Sequence, residues 1–528
     1  VGYKNYPDNV IRRFVKESAK SGIDVFRIFD SLNWIQGMEV ALDETLNQGK
    51  IAEACICYTG DILDESREKY NLNYYIKMAK ELEKRGAHIL GIKDMSGLLK
   101  PYAAKKLVTA LKQEVGLPIH LHTHDTSGNQ VAALLMAAEA GVDIVDAAID
   151  SMASMTSQPS LNAVVTALKG QDRDTGLDPD KLQKLSDYWA DVRLRYAAFE
   201  AGIKNPSTDI YRYEMPGGQY TNLKSQVESL GLGHQFEDVK EMYKAVNDML
   251  GDIVKVTPSS KMVGDLAIFM VQNELTPENI VERGEALAFP DSVVSYFKGM
   301  MGQPAWGFPE DLQKVVLKGE APITCRPGEL LPPVDFEAVE KKMRAFMGDD
   351  RINRRAMVSY CLYPKVYEEY RKHRKEYGYI MRMGSHVFFN GMALGETNKI
   401  NIEDGKTLVI KYLGLGDLNE DGTRNVQFEL NGMRREIAVP DPRADVQTHT
   451  VVLADPEDKS QVGASIPGMV SKVSVQPGDA VEENQVIAVI EAMKMETSVV
   501  ARMAGIIDQV LVREGSSVKA GELLMTIK

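Results

Sequence analysis

The sequence predicts an α/β fold. Five βα units, suited to part of a (β/α)8 TIM-type barrel or to an open doubly wound sheet, are followed by a helical region, a small β-rich domain and a C-terminal β-sandwich or barrel. Three observations carry this reading. Short apolar runs recur about every 25 to 35 residues between Val25 and Ala148, with helical period between them. Proline and glycine breaks then separate mostly helical text as far as residue 377. Beyond residue 464 the chain repeats itself at an offset of 37.

The apolar runs are Val25 to Phe29, Ala54 to Tyr58, Ile89 to Ile92, Ile119 to Leu121 and Ile144 to Ala148. Read as strands buried on both faces, they describe a parallel sheet covered by helices over residues 1–170. One covering helix spans Asn73 to Arg85. Tyr75, Ile76, Met78, Ala79 and Leu82 form its apolar stripe, and Gly86 stops it. Five units are visible and a closed barrel needs eight. Either the sheet is open or three strands lie upstream of Val1.

Residues 171–377 carry helical spacing at Leu182 to Gly202, Phe236 to Leu250 and Asp265 to Asn273, broken at Pro216-Gly217-Gly218 and Pro327-Gly328. Over residues 378–440 the pattern turns to strands: Val387 to Phe389, Leu408 to Ile410, Val426 to Leu430 and Arg435 to Val439. Turn signals stand at Asn390-Gly391, Asp421-Gly422 and Asn431-Gly432. Residues 441–460 are polar and read as a linker, able to span at most about 70 Å.

Composition narrows the function classes. The formal net charge of −13 is a poor match to a phosphate backbone, so nucleic acid is not an expected partner. No apolar run is long enough for a membrane helix. Four cysteines form no disulfide framework and fit a reducing compartment; Cys55 and Cys57 read as core residues. The chain opens in mid-pattern at Val1, as a fragment of something longer would.

In residues 461–528, Ala464, Gly468, Val470, Val473, Val475, Gly478 and Val481 recur as Ala501, Gly505, Ile507, Val510, Val512, Gly515 and Val518. Two equivalent β-units follow, and the junction between them holds Ala492-Met493-Lys494-Met495. Methionines flanking a lysine on an exposed turn are unusual unless they are used. The segment resembles the biotin carboxyl carrier domain, whose signature is Ala-Met-Lys-Met. The resemblance implies biotin attached to Lys494 by a biotin protein ligase.

Three of eight histidines fall in His120-Leu121-His122-Thr123-His124. Strand period puts them on one face, at the strand end where βα barrels do chemistry. Imidazoles so placed suit a transition metal; polar core histidines are the plain alternative. Lys93 stands at the previous strand end. As an ammonium it has no lone pair for a metal, and a salt bridge is its ordinary reading. Thr257, before Pro258 and an apolar helix, reads locally as an N-cap.

Several stretches resemble the carboxyltransferase region of the pyruvate carboxylase family. They are Gly2 to Asn9, Gly91 to Asp94, His120 to Gly128, Glu214 to Tyr220, Lys255 to Lys261 and Leu362 to Lys365. The resemblance implies a TIM-type barrel whose first three strands lie upstream, and a ligase that transfers a carboxyl group from carboxybiotin to pyruvate, giving oxaloacetate for anaplerosis and gluconeogenesis. It implies Mn²⁺ or Zn²⁺ held by N-carboxylated Lys93, His122 and His124, with His120 behind them. A fourth ligand, an aspartate, belongs to the strands upstream. Thr257 would shuttle a proton, Ser260 and Lys261 would line the biotin pocket, and Tyr3 the substrate side. ATP and Mg²⁺ would act at a biotin carboxylase domain outside this chain. The resemblance also implies a homotetramer containing carboxyltransferase dimers, in the bacterial cytoplasm or mitochondrial matrix. An oxaloacetate decarboxylase α-subunit, a transcarboxylase and a non-catalytic biotin carrier are the rival readings. The Thr-Pro-Ser-Ser-Lys run, the His-Thr-His-Asp-Thr-Ser-Gly run and the β insert at 379–439 stand against the first two.

Overall fold

The computed structural model describes residues 4–200, 203, 205–231, 233–284, 286–347, 352–378, 380–419, 422–441, 452–455, 458–492 and 495–528. Five parallel strands open it: β1 (Val25–Ile28), β2 (Ile51–Cys57), β3 (Ile89–Asp94), β4 (Ile119–Thr123) and β5 (Ile144–Val145). They pair in chain order, β1-β2-β3-β4-β5. A doubly wound sheet reverses its strand order at a switch point; here there is no reversal. Each helix returns the chain to the next position on the same side, as in the wall of a (β/α)8 barrel.

The central strands β2, β3 and β4 are buried on both faces, the edge strand β1 only on its helix side, and the two faces differ in kind. Phe26, Ile28, Ala52, Ala54, Ile56, Leu90, Ile92, Ile119 and Leu121 pack against the helices in one core. Arg27, Glu53, Cys55, Cys57, Gly91, Lys93, His120 and His122 occupy the alternate positions, and the register aligns them across the sheet: Arg27 with Glu53, Cys57 with Lys93, and Lys93 with His122. The period of two therefore sorts apolar groups outward and polar groups into the barrel. Gly91 is small for a reason: a Cβ there would lie 2.3 Å from the Cys55 Sγ. Both cysteines are buried and free, as the sequence suggested.

A second core forms around the helix Ser259–Gln272, where Met262, Val263, Leu266, Ala267 and Met270 are buried. Helices Gly217–Ser229, Phe236–Met249 and Asp291–Phe297 surround it. Further along, the run Val387 to Phe389 departs from expectation. It lies in a short helix, Ser385–Asn390, closed by Gly391 at φ +71°. Three apolar residues are too few to distinguish helix from strand, and Phe389 packs edge-on to Tyr196 and tilted against Phe199. The Asn390-Gly391 pair thus ends a helix rather than turning a hairpin.

The β-rich segment is a four-stranded antiparallel meander: β6 (Thr397–Glu403), β7 (Lys406–Leu418), β8 (Thr423–Leu430) and β9 (Met433–Pro440). Leu430 pairs with Met433, and Asn431 and Gly432 both adopt positive φ, so the expected two-residue turn forms there.

The C-terminal sandwich contains β10 (Gln461–Gly463), β11 (Gly468–Val473), β12 (Ala480–Val481), β13 (Val486–Ala492), β14 (Met495–Val500), β15 (Gly505–Val510), β16 (Ser517–Val518) and β17 (Leu523–Ile527). One sheet runs β10-β17-β15-β12 and the other β14-β13-β11-β16. Exchanging equivalent strands of the repeat converts one order into the other, so the 37-residue period is the molecular pseudo-symmetry. It extends to single contacts. A Cβ on Gly468 would lie 2.6 Å from the Glu491 carbonyl oxygen, and one on the equivalent Gly505 would lie 2.6 Å from that of the equivalent Lys528.

Gly468→Ala and Gly505→Ala are each expected to destabilise the sandwich by about 1–3 kcal/mol, through forced overpacking. Amide hydrogen exchange of β11 and β15 reads the effect. Loss of protection with one variant but not the other would show that the two halves are not mechanically equivalent.

Candidate metal centre and active site

The loops that follow β3 and β4 are pinned from within. Asp94, fully buried, accepts hydrogen bonds from the Leu98 and Leu99 amides and from the Thr123 hydroxyl at 2.8 Å. Asp125 accepts from the Gln130 amide and the Ser154 hydroxyl. Gly97, at φ +76°, lets this loop pass so close that a Cβ would lie 2.4 Å from the His124 carbonyl oxygen. His124 is thus held by backbone packing on both sides.

His122 Nε2 and His124 Nε2 face each other at 3.3 Å. Their other ring nitrogens are committed: His122 Nδ1 lies 2.7 Å from Asp146 Oδ2, and His124 Nδ1 lies 2.7 Å from the Thr156 carbonyl oxygen. Both acceptors require a proton on Nδ1, which leaves two Nε2 lone pairs converging. Two nitrogens bound tetrahedrally at about 2.1 Å to one ion would stand about 3.4 Å apart. The pair therefore fits a divalent metal. Burial pushes His124 down to about 4, against its bond to Thr156 and with help from the Lys93 charge, so it stays neutral as metal ligation requires. Among the described residues no three His, Cys, Asp or Glu side chains form a complete cage.

Lys93 pairs in register with His122 and makes no ion pair among the described residues; its ammonium lies 4.9 Å from the centre of the Phe29 ring. The ordinary salt-bridge reading of Lys93 is thereby corrected, because the positions that could hold a partner carry a ring and two imidazoles instead. His120 lies deeper. Its Nδ1 is 3.2 Å from Glu53 Oε1 and its Nε2 is 2.8 Å from Asp146 Oδ1. Burial alone would depress it, but these two carboxylates outweigh burial and carry it up to about 9.

Thr257 is brought to the same end of the sheet. Its segment is anchored by Lys255, a fully buried cation 3.1 Å from Glu214 Oε2 and 3.5 Å from the Thr59 hydroxyl, just beyond β2. Arg67 binds the other Glu214 oxygen at 2.9 Å. Ser259 Oγ accepts from the Val256 amide and reaches the Ser31 carbonyl, just beyond β1, at 3.3 Å. The helix starts at Ser259 with no side-chain cap. Thr257 is exposed and makes no hydrogen bond among the described residues, so the N-cap expectation fails: Pro258 separates it from the amides it would cap. Its hydroxyl is free instead. Ser260 is buried in the first turn, and Lys261 pairs with Asp265 at 2.7 Å. Tyr3 and Lys494 lie outside the described residues; the strands flanking Met493 and Lys494 pair Ala492 with Met495.

Asp146 and Glu53 were missed in the sequence. Asp146 follows the two-residue β5, and its signal was faint: one acidic residue ending an apolar run. Glu53 interrupts Ala52 and Ala54 inside the β2 run, and that break in an apolar strand was the available clue.

Three family models match the chain. They are the conserved carboxylase domain over residues 210–411, the biotin-requiring enzyme model over 459–527, and the HMGL-like model over 59–188. The chain is 53% identical to pyruvate carboxylase of Bacillus subtilis over 528 residues, covering 100% of this chain and 46% of that protein. It is 44% identical to mitochondrial pyruvate carboxylase of Mus musculus, covering 100% of this chain and 45% of that one. The carboxyl transferase domain of Rhizobium etli pyruvate carboxylase, solved with pyruvate and biocytin, superposes with a TM-score of 0.82 at 50% identity, over 84% of this chain and 74% of that one. The chain belongs to the pyruvate carboxylase family, over its carboxyltransferase and biotin-carrier regions. It spans just under half the length of the curated relatives it matches.

Glu214 holds the Thr257 segment through two cations. Burial would raise its carboxyl, but Lys255 and Arg67 outweigh burial and hold it below the usual glutamate range. A depressed value stabilises the fold above that range and loses its effect as the pH falls. Glu214→Gln, which leaves buried Lys255 only the more distant Asp252 at 3.8 Å as a carboxylate partner, is expected to cost up to about 3–5 kcal/mol near neutrality. In denaturant titrations the deficit should begin to shrink below about pH 4.3, where the unfolded chain's glutamate takes up its proton, and go on shrinking as the folded one follows. A deficit that is constant with pH would exclude this charge linkage.

Proposed function

We propose that the chain transfers a carboxyl group from carboxybiotin to pyruvate, giving oxaloacetate, within a longer ATP-dependent ligase. The observation that carries this reading is the pair of converging imidazole nitrogens, 3.3 Å apart, at the sheet end onto which the Thr257 segment folds. His122, His124 and N-carboxylated Lys93 would hold Mn²⁺ or Zn²⁺. Bound there, such an ion supplies Lewis-acid stabilisation of negative charge on the substrate oxygen.

The remaining chemistry falls to this chain's own residues. Thr257 Oγ1, exposed and unpartnered, takes a proton from the substrate methyl carbon and delivers it to the biotin ring nitrogen. The Lys255–Glu214–Arg67 anchor holds that hydroxyl in place. Ser260 and Lys261, one helical turn onward, line the biotin side, and Tyr3 the substrate side. Lys494 carries biotin, for which a biotin protein ligase is the partner. The two-sheet sandwich with Ala492 paired to Met495 supports that role, because it brings the ends of both strands together at the attachment segment.

The names of the relatives, pyruvate carboxylase in bacteria and animals, favour this reaction over an oxaloacetate decarboxylase or transcarboxylase. The converging imidazoles favour it over a passive carrier, which has no need of them. Bacterial and mitochondrial relatives support a bacterial cytoplasm or mitochondrial matrix location. No helix among the described residues is long and apolar enough to cross a membrane. ATP and Mg²⁺ would act in the part of the ligase beyond this chain.

Thr257→Ala is expected to slow oxaloacetate formation by about 10²- to 10⁴-fold in the full-length protein, the usual worth of a proton-transfer group. Its thermal melt should not move, since the hydroxyl makes no hydrogen bond among the described residues. Turnover close to wild type would remove Thr257 from the mechanism. Intact-mass analysis after co-expression with a biotin ligase should show one biotin adduct, absent in Lys494→Ala. An adduct that persists in this variant would place the attachment site elsewhere.

A further inference from the structure

Behind the two imidazoles lies a closed lattice of four charges on the inner barrel face. Arg27 Nε lies 2.8 Å from Glu53 Oε1, and Arg27 Nη1 lies 2.8 Å from Asp146 Oδ2. His120 sits between the same two carboxylates, with one ring nitrogen on each. Arg27 Nη2 is 3.1 Å from both His120 ring nitrogens. One atom can be equidistant from both at that range only over the ring face, so Arg27 points an N–H at the His120 ring from above. Both nitrogens face carboxylate oxygens, Nδ1 that of Glu53 and Nε2 that of Asp146.

Asp146 is where this lattice meets His122. Its Oδ1 faces His120 Nε2; its Oδ2 faces both Arg27 Nη1 and His122 Nδ1, the last at 2.7 Å. Held on both oxygens by Arg27 and His120, the Asp146 carboxylate is fixed in place to accept the His122 Nδ1 hydrogen bond. A rotation of the His122 ring would break that bond and leave a charged oxygen underused inside the barrel.

We propose that Asp146 is a positioning residue for the metal. It locks His122 in its Nδ1–H tautomer with Nε2 aimed at His124 Nε2, and Arg27, Glu53 and His120 in turn lock Asp146. This rests on the ligand assignment above. It predicts that metal affinity depends on a carboxylate that never touches the ion. Outer carboxylates behind ligating histidines typically set affinity by about 10- to 100-fold.

The test uses the full-length protein and Zn²⁺, with affinity read by competition against a chromophoric chelator. Visible absorption of the Co²⁺-loaded protein reports ligand geometry. Asp146→Ala should weaken Zn²⁺ by about 10- to 100-fold and shift the Co²⁺ bands. Asp146→Asn should fall between it and wild type, because an amide oxygen can still accept from His122 but cannot hold two cations. His122→Ala is the reference for loss of a ligand. A variant that is merely looser would melt earlier with unaltered Co²⁺ bands, and that result would overturn the proposal. Wild-type affinity and spectrum in Asp146→Ala, with Zn²⁺ lost in His122→Ala, would overturn it while leaving the ligand assignment standing. Undiminished Zn²⁺ in His122→Ala would sink the ligand assignment and the proposal together.

Discussion

The constraint on which the site depends is the two-residue period of five parallel strands. It sends every second side chain to the helices and the rest into the barrel. The outward set is apolar and supplies the burial that holds the sheet. The inward set could not be stable as isolated charges, because each would lose its hydration without recompense. It is stable as a lattice: Arg27 and His120 against Glu53 and Asp146, each bonded to more than one partner. The same register that builds the lattice places Lys93 beside His122 and leaves His124 at the rim. Core and candidate site are thus two faces of one pattern.

The second half of the site reaches the barrel through a different device. Lys255 is buried and would be costly alone, yet Glu214 lies 3.1 Å away and is shared with Arg67. Glu214 itself sits at φ +52°, a left-handed turn that few side chains adopt, which ends the short helix Ile210–Tyr213 and aims the carboxylate inward. Three segments far apart in the chain meet at this one carboxylate. The Thr257 hydroxyl owes its position to them rather than to a bond of its own. A group left without partners but held by its backbone is suited to bonding a transient substrate.

The C-terminal sandwich follows a separate logic. Its two sheets are built from one repeated unit, and even the tight glycine contacts recur 37 residues apart. Repetition closes a small core: Val470 and Ile490 of one half pack with Ile507 and Ile527 of the other. Residues 493 and 494 stand in the chain between β13 and β14, whose ends pair Ala492 with Met495.

Much of this was legible in the chain. Five strands, the helix after Asn71, the Asn431-Gly432 turn and the repeat are local patterns, and local patterns depend on neighbours in sequence. Period two in His120-Leu121-His122-Thr123-His124 sufficed to put three histidines on one face. Sequence could not divide their roles. His120 joined an ion lattice and His124 became a neutral imidazole because of burial and of Glu53, Asp146 and Thr156, which come from other strands and loops. Thr257 was misread as a cap because capping is inferred from neighbours, whereas its freedom depends on how the segment is held by Glu214 and Thr59. Val387 to Phe389 was misread because three apolar residues carry no period, and the choice of helix fell to packing on Tyr196 and Phe199. The sequence by itself determined which residues could be strands, which faces they shared and where the repeat folded on itself. Only the tertiary structure decided which charges met, since Coulomb and hydrogen-bond energies depend on distances in space that spacing along a chain does not contain.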